Sequence, residues 1–197
     1  MFKSVNSTMV LIDHQVGTMQ LIKNIPLDRV IRHTLVLAKI ASALNMPVVL
    51  TSSQEDRFQG PLLPELKEIL PKAYEQRIKR KGIVNAWDQV EFADAIRKTG
   101  RSNLIMAGAT TDVCLVYPAI SAVEEGFCVQ AVMDASGSPF ELSENLAQGR
   151  MKDAGVVLTT TNMLMAELAH DWSGQEGSLI MELLMNDVLG PVLSNGN

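Results

Sequence analysis

The feature that most narrows the fold is an alternation running the length of the chain, in which short β-branched runs are separated by longer stretches of helical spacing. Residues 8–13 (TMVLID) open it as a continuous apolar run without period-two alternation, which suits a strand covered on both faces. After Pro26, Asp28 is placed to cap a helix in which Val30, Ile31, Leu35, Leu37, Ala38 and Ala41 recur at helical spacing, ending near Asn45 ahead of Pro47. Residues 47–53 read as the second strand, 62–70 as a short helix and 74–81 as a thinly supported third strand. Arg77, Lys79 and Lys81 share one face of that third run, which suggests a sheet edge or a strand end beside the active site. Helices over 89–98, from the turn after Gly108 to Glu125, 142–154, 163–170 and 179–189 alternate with strands over 103–108, 129–135 and 156–160. Glycine closes the helices ahead of the last three strands, at Gly100, Gly126 and Gly155.

Strands alternating with helices predict a parallel sheet clothed on both faces, and right-handed crossovers leave few topologies. The expectation is a doubly wound, Rossmann-like, mostly parallel six-stranded sheet in a single domain spanning residues 1–197. In the common strand order, strands 1 and 4 flank the switch point, where a crevice opens at the strand C-termini. Asp13 ends strand 1 and Cys114 follows strand 4, so the topology brings a carboxylate and a thiol to one crevice.

Cys114 is the candidate nucleophile, because a helix start gathers unpaired N–H groups and the positive end of the helix dipole, and both favour thiolate. Asp112 reads as an N-cap for that helix, and Cys128, beside a strand start, as structural. Trp87, Phe58, Phe140 and Met163 line a pocket or fill the core.

A formal charge of −5 gives no electrostatic footprint for nucleic acid. No run is long enough for a membrane span, and no secretory pattern opens the chain. Two cysteines make no disulfide framework, so a cytoplasmic protein with reduced thiols is expected. His14, His33 and His170 lie far apart without ligand spacing, and neither a metal nor another cofactor is expected.

Three motifs carry a resemblance: LIDHQ at 11–15, a basic residue ahead of NAW at 85–87, and GATTDVC at 108–114. Together they resemble the isochorismatase-like cysteine hydrolases over about residues 8–172, and RKGIVNAW at 80–87, EEGF at 124–127 and DASG at 134–137 are similar to the YcaC-like hydrolases of unassigned substrate. The resemblance implies a metal-independent hydrolase of a small amide or related carbon–nitrogen bond, working through a covalent thioester. Asp13 would be the general base and Cys114 the nucleophile; backbone N–H groups of Thr110 and Cys114 would form the oxyanion hole, and a cis peptide would fall at Ala109–Thr110. The cation is Arg80 by the YcaC-like pattern or Lys81 by the wider one; on a continuing strand the two point to opposite faces.

Nicotinamidases of the family carry D-x-H after strand 2, whereas residues 54–60 (QEDRFQG) hold no histidine; isochorismatases proper lack the nucleophilic cysteine. The apolar segment 177–193 and the resemblance both imply a homo-oligomer. The alternative from a different class is an oligomeric protein that binds a small ligand, or senses oxidants through its thiol, without turnover.

Overall fold

The computed structural model describes residues 1–194. Its sheet has six strands: β1 (Ser7–Ile12), β2 (Val48–Ser53), β3 (Ile78–Arg80), β4 (Asn103–Gly108), β5 (Cys128–Val132) and β6 (Val157–Thr159). They lie in the order β3-β2-β1-β4-β5-β6, and every neighbouring pair is parallel. The expected doubly wound, mostly parallel six-stranded sheet is thus present and is parallel throughout, with β3 at one edge and the switch point between β1 and β4.

Alternation along β1 explains why its sequence reads as a solid apolar run. Met9 and Leu11 belong to a core cluster with Leu37 of α1 (Leu27–Ala43), Leu168 of α7 (Thr161–Ala169) and Ile180 of α8 (Gln175–Leu183). Val10 and Ile12 belong to a second cluster with Phe92 of α4 (Val90–Arg97), Ala119 of α5 (Val116–Glu124) and Met151 of α6 (Glu141–Asp153). All six β1 residues are buried, since both faces of the strand carry helices.

Local chemistry moves some boundaries. Residues 74–77 are not strand: Pro64 opens α2 (Pro64–Ile69), and Pro71 opens α3 (Pro71–Glu75), where a fixed φ and a missing N–H suit the first turn. Tyr74 is buried from that helix and Arg77 stacks 4.5 Å over its ring, so only Ile78–Arg80 remain to pair with β2. The fifth strand stops at Val132 because residues 133–135 form a 3-10 turn. Asp28 lies in the first turn of α1, whose N-cap is Pro26. The C-terminal segment continues from α8 through a π-helical stretch, Leu184–Leu189, into α9 (Gly190–Ser194). It buries Ile180, Leu184 and Val188 while leaving Val192 and Leu193 exposed. Among the described residues, no helix is long and apolar enough to cross a membrane.

The NAW and EEGF motifs meet in space. Asn85 caps a 3-10 turn by accepting from the Trp87 N–H and donates to Ser121 of α5, while Trp87 Nε1 donates to Glu125 at 2.9 Å and its ring meets Phe127 edge-on. Trp87 is thus core, and it docks the chain after β3 onto the helix that follows Cys114.

His14 is fully buried, and its Nε2 lies 2.8 Å from the Ala135 carbonyl, so Nε2 carries the proton. Burial lowers its pKa to about 4, opposed by that hydrogen bond. The unfolded chain then binds the proton more tightly, so stability is complete above the ordinary histidine value and falls as pH drops towards 4. Between pH 7 and pH 5 this residue should withdraw about 2 kcal/mol. Urea unfolding at several pH values checks it: His14→Gln should flatten that decline, and parallel declines in the two proteins would contradict the assignment.

Candidate active site

Asp13 leaves β1 with a left-handed φ of 58°, a conformation that non-glycine residues hold only when neighbours fix it. Its N–H donates to Thr51 O, which carries the sheet pairing one residue further, and its carbonyl accepts from the Gln15 N–H at 2.7 Å. Gln15 is fully buried and acts as an extra strand rung: its side chain accepts from the Ser53 N–H and donates to the Ser53 and Gly60 carbonyls. The backbone is thereby turned so that Asp13 lines the cavity with Arg80 and Cys114, while His14 reaches the Ala135 carbonyl.

Arg80 and Asp13 form an ion pair whose side chains are 1 % and 3 % exposed. Arg80 Nη2 donates to Asp13 Oδ2, Nε to Thr51 Oγ1 at 3.1 Å, and Nη1 to the carbonyls of Ile83 and Val84 at 2.5 and 3.2 Å. One residue on, Lys81 is exposed, and its carbonyl accepts from Gln54 Nε2. The two cation candidates therefore separate, with Arg80 in the site and the Lys81 ammonium outside it.

The Cys114 thiol shares the cavity with the Asp13 carboxylate and feels its charge, and Asp13 Oδ1 is buried without a hydrogen-bond partner among the described residues. Burial pushes the thiol well above its ordinary pKa, and the neighbouring Asp13 charge adds to this, while the Thr110 backbone and Arg80 pull weakly the other way. Burial also raises the Asp13 pKa against the opposing pull of Arg80. This reverses the thiolate expected from the helix start: burial of the sulfur, with the nearby carboxylate adding to it, outweighs the dipole.

The turn bearing Cys114 is a single π-helical turn, Thr111–Leu115, ahead of α5. The Val113, Cys114 and Leu115 N–H groups converge on the Thr110 carbonyl at 3.4, 2.7 and 3.2 Å, so the Cys114 N–H already has an acceptor in the resting state. Thr110 is the N-cap in place of Asp112, whose Oδ1 is buried without a partner among the described residues. The Ala109–Thr110 peptide is cis.

Residues 136–138 grip this turn from the side. Gly108 N–H donates to Ser136 Oγ, Thr111 N–H to the Gly137 carbonyl and Asp112 N–H to Ser138 Oγ, and Ser138 in turn donates to the buried Glu144 at 2.6 Å. Packing at Gly108 is tight, since a Cβ there would meet the Leu115 Cβ at 3.1 Å. Gln15 and Ser136 lie within the LIDHQ and DASG motifs, although the sequence assigned them no role of their own, and Thr51 and Ser138 were not singled out.

Asp13, Arg80, Thr110 and Cys114 line one cavity of about 260 Å³, and Phe58 stands at its mouth. Phe140 and Met163 are exposed outside it. Among the described residues, no group of three or more His, Cys, Asp or Glu side chains is placed to hold a metal ion.

A parallel sheet with acid, guanidinium and thiol at its switch point defines a class of α/β protein with a cysteine-centred site. The isochorismatase domain family matches residues 7–163, and the chain belongs to that family. It is 41 % identical over 167 residues to the probable hydrolase YcaC of Escherichia coli, covering 85 % of this chain and 79 % of that one. The solved E. coli YcaC, described as an octameric hydrolase of unknown specificity, superposes with a TM-score of 0.91 at 37 % identity, over 98 % of this chain and 95 % of that one. YcaC from Pseudomonas aeruginosa, solved with hexane-2,5-diol and covalent acrylamide, gives 0.90 at 38 % identity, over 100 % and 97 %.

The geometry separates the two cations by stability. Arg80→Met strands the Asp13 carboxylate in the interior and should cost about 3–5 kcal/mol, whereas Lys81→Ala should stay within about 0.5 kcal/mol of the parent. Urea denaturation of both variants measures this, and equal small losses would contradict a buried ion pair.

Proposed function

We propose that this protein is a cysteine hydrolase that cleaves a small amide or related carbon–nitrogen bond through a thioester on Cys114. The observation that carries the reading is the grouping of the Arg80–Asp13 pair with the Cys114 thiol inside one cavity. In an amide, Cys114 Sγ attacks the carbonyl carbon as Asp13 takes the thiol proton; the C–N bond then breaks, and that proton leaves on the amine. Water adds to the thioester with Asp13 as base, releasing the acid and restoring the thiol. Arg80 holds Asp13 and offsets its charge, and the N–H groups of Thr110 and Cys114 serve the oxyanion, the latter shared with the Thr110 carbonyl. Lys81 has no part in this chemistry.

A raised carboxyl pKa suits a base that must work near neutrality. A thiol held in its neutral form fits activation on substrate binding better than redox sensing, which favours standing thiolates. Covalent acrylamide on the P. aeruginosa relative is consistent with a reactive nucleophile in that protein. The whole chain would act as one isochorismatase-like domain in the cytoplasm without a metal: His14 is committed to Ala135, His33 faces Asp134 alone at 3.7 Å, and neither His33 nor His170 falls in a group of three ligand-type side chains among the described residues.

Intact-mass trapping with a panel of amides tests the reading. An acyl adduct should form, should be missing in Cys114→Ala, and should form at least about a hundredfold more slowly in Asp13→Asn. Because burial raises the Asp13 pKa, the acid limb of turnover should lie above the ordinary carboxylate range of about 4. A panel that yields no adduct, or adducts that persist in Cys114→Ala, would sink the proposal. Homo-oligomeric assembly belongs to the same proposal, supported by the exposed Val192 and Leu193 and by the octameric E. coli relative, and the sedimentation mass of the same sample checks it.

A further inference from the structure

The charges in the cavity are closed on one another. Of the side chains lining it, only Asp13 and Arg80 are ionic, and they face each other. Arg80 has five N–H donors; one from Nε, two from Nη1 and one from Nη2 are engaged with Thr51, Ile83, Val84 and Asp13. No guanidinium fork is left for a substrate carboxylate. Moving the thiol proton from Cys114 to Asp13 changes nothing in the sum, because one anion replaces another beside the same cation.

The mouth is apolar. Leu21, Phe58, Ile83, Val84 and Val113 border the cavity and are 41 to 64 % exposed, an unusual concentration of solvent-facing apolar side chains around one opening. The remaining lining is uncharged: of its three glutamines, Gln15 is spent on Ser53 and Gly60, and Gln54 bonds to Lys81 and Gln59. Gln59 Oε1 and Thr18 Oγ1 are buried without a partner among the described residues and offer neutral polar groups, not counter-ions. Lys81, Lys79 and Arg57 stand with Glu55 and Asp56 in a neighbouring recess that adjoins the cavity at Gln54 and Arg80, and Glu55 is itself paired with Lys79 and Arg77.

From a site neutral inside and apolar at its rim, we infer that the pocket selects small uncharged amides with an apolar acyl group and rejects analogues bearing a carboxylate or an ammonium near the reacting carbonyl. The inference rests on the hydrolase reading for the word amide, and on the lining alone for the selection by charge. A charged analogue would shed its water against apolar side chains with no counter-ion to meet it. An uncharged acyl group gains from the same contact.

Two arms test it. In the first, iodoacetamide and iodoacetate compete for the thiols, and peptide mass spectrometry reads each cysteine, with the exposed Cys128 as internal reference. The neutral-over-anionic ratio at Cys114 should exceed that at Cys128 by about tenfold or more, and Val84→Lys, which sets a cation at the rim, should pull it back towards the Cys128 value. Equal ratios at the two cysteines would overturn the inference. In the second arm, isobutyramide should be hydrolysed with a kcat/KM about tenfold or more above those of succinamate and glycinamide. Comparable turnover of the charged amides would overturn the selection while leaving the hydrolase intact. Absence of turnover with every amide, beside the expected alkylation ratio, would sink the hydrolase reading and uphold the selection.

Discussion

The buried contact between Arg80 and Asp13 is the interaction on which the rest of the site depends. Taking two charges out of water is costly, and the attraction between them compensates only when the remaining donors are also satisfied. Here Thr51, Ile83 and Val84 satisfy them. The consequences reach beyond the pair: a three-residue edge strand with little apolar support is tied across β2 to the centre of the sheet, and the loop carrying Ile83 and Val84 becomes a fixed cavity wall.

Around that pair the electrostatics set base and nucleophile against each other. Burial raises both Asp13 and Cys114, so neither group is driven towards its charged form by the site as a whole. Arg80 keeps the carboxylate available, and burial, with the carboxylate adding to it, keeps the sulfur protonated. Such a resting state protects the thiol and leaves its proton beside the group that must accept it. The cysteine turn supplies the rigidity this needs, held by its own carbonyl at Thr110 and gripped laterally by Ser136, Gly137 and Ser138.

Much of the fold was legible because a two-faced sheet writes itself as solid apolar runs, as in β1, and because Gly100, Gly126 and Gly155 take the positive φ that ends helices before strands. The crevice between β1 and β4 followed from topology alone. Residues 74–77 escaped because Pro71 and the burial of Tyr74 outweigh a period-two charge pattern. Arg80 and Lys81 could not be separated in sequence, since one residue of register exchanges inside for outside. The protonation of Cys114 was misread for a related reason: the helix start is local and visible, whereas the burial of the sulfur, and the Asp13 anion that adds to it from about a hundred positions away in sequence, exist only once the chain is folded.

The most direct test is the thiol pKa of Cys114, followed by thiolate absorbance in Cys128→Ser protein with and without Asp13→Asn. If the Asp13 charge helps to hold the thiol protonated, removing it should lower the Cys114 pKa, so that thiolate appears at lower pH in the Asp13→Asn protein. A Cys114 pKa that stays unchanged or rises in that variant would contradict the coupling from which the proposed chemistry is built.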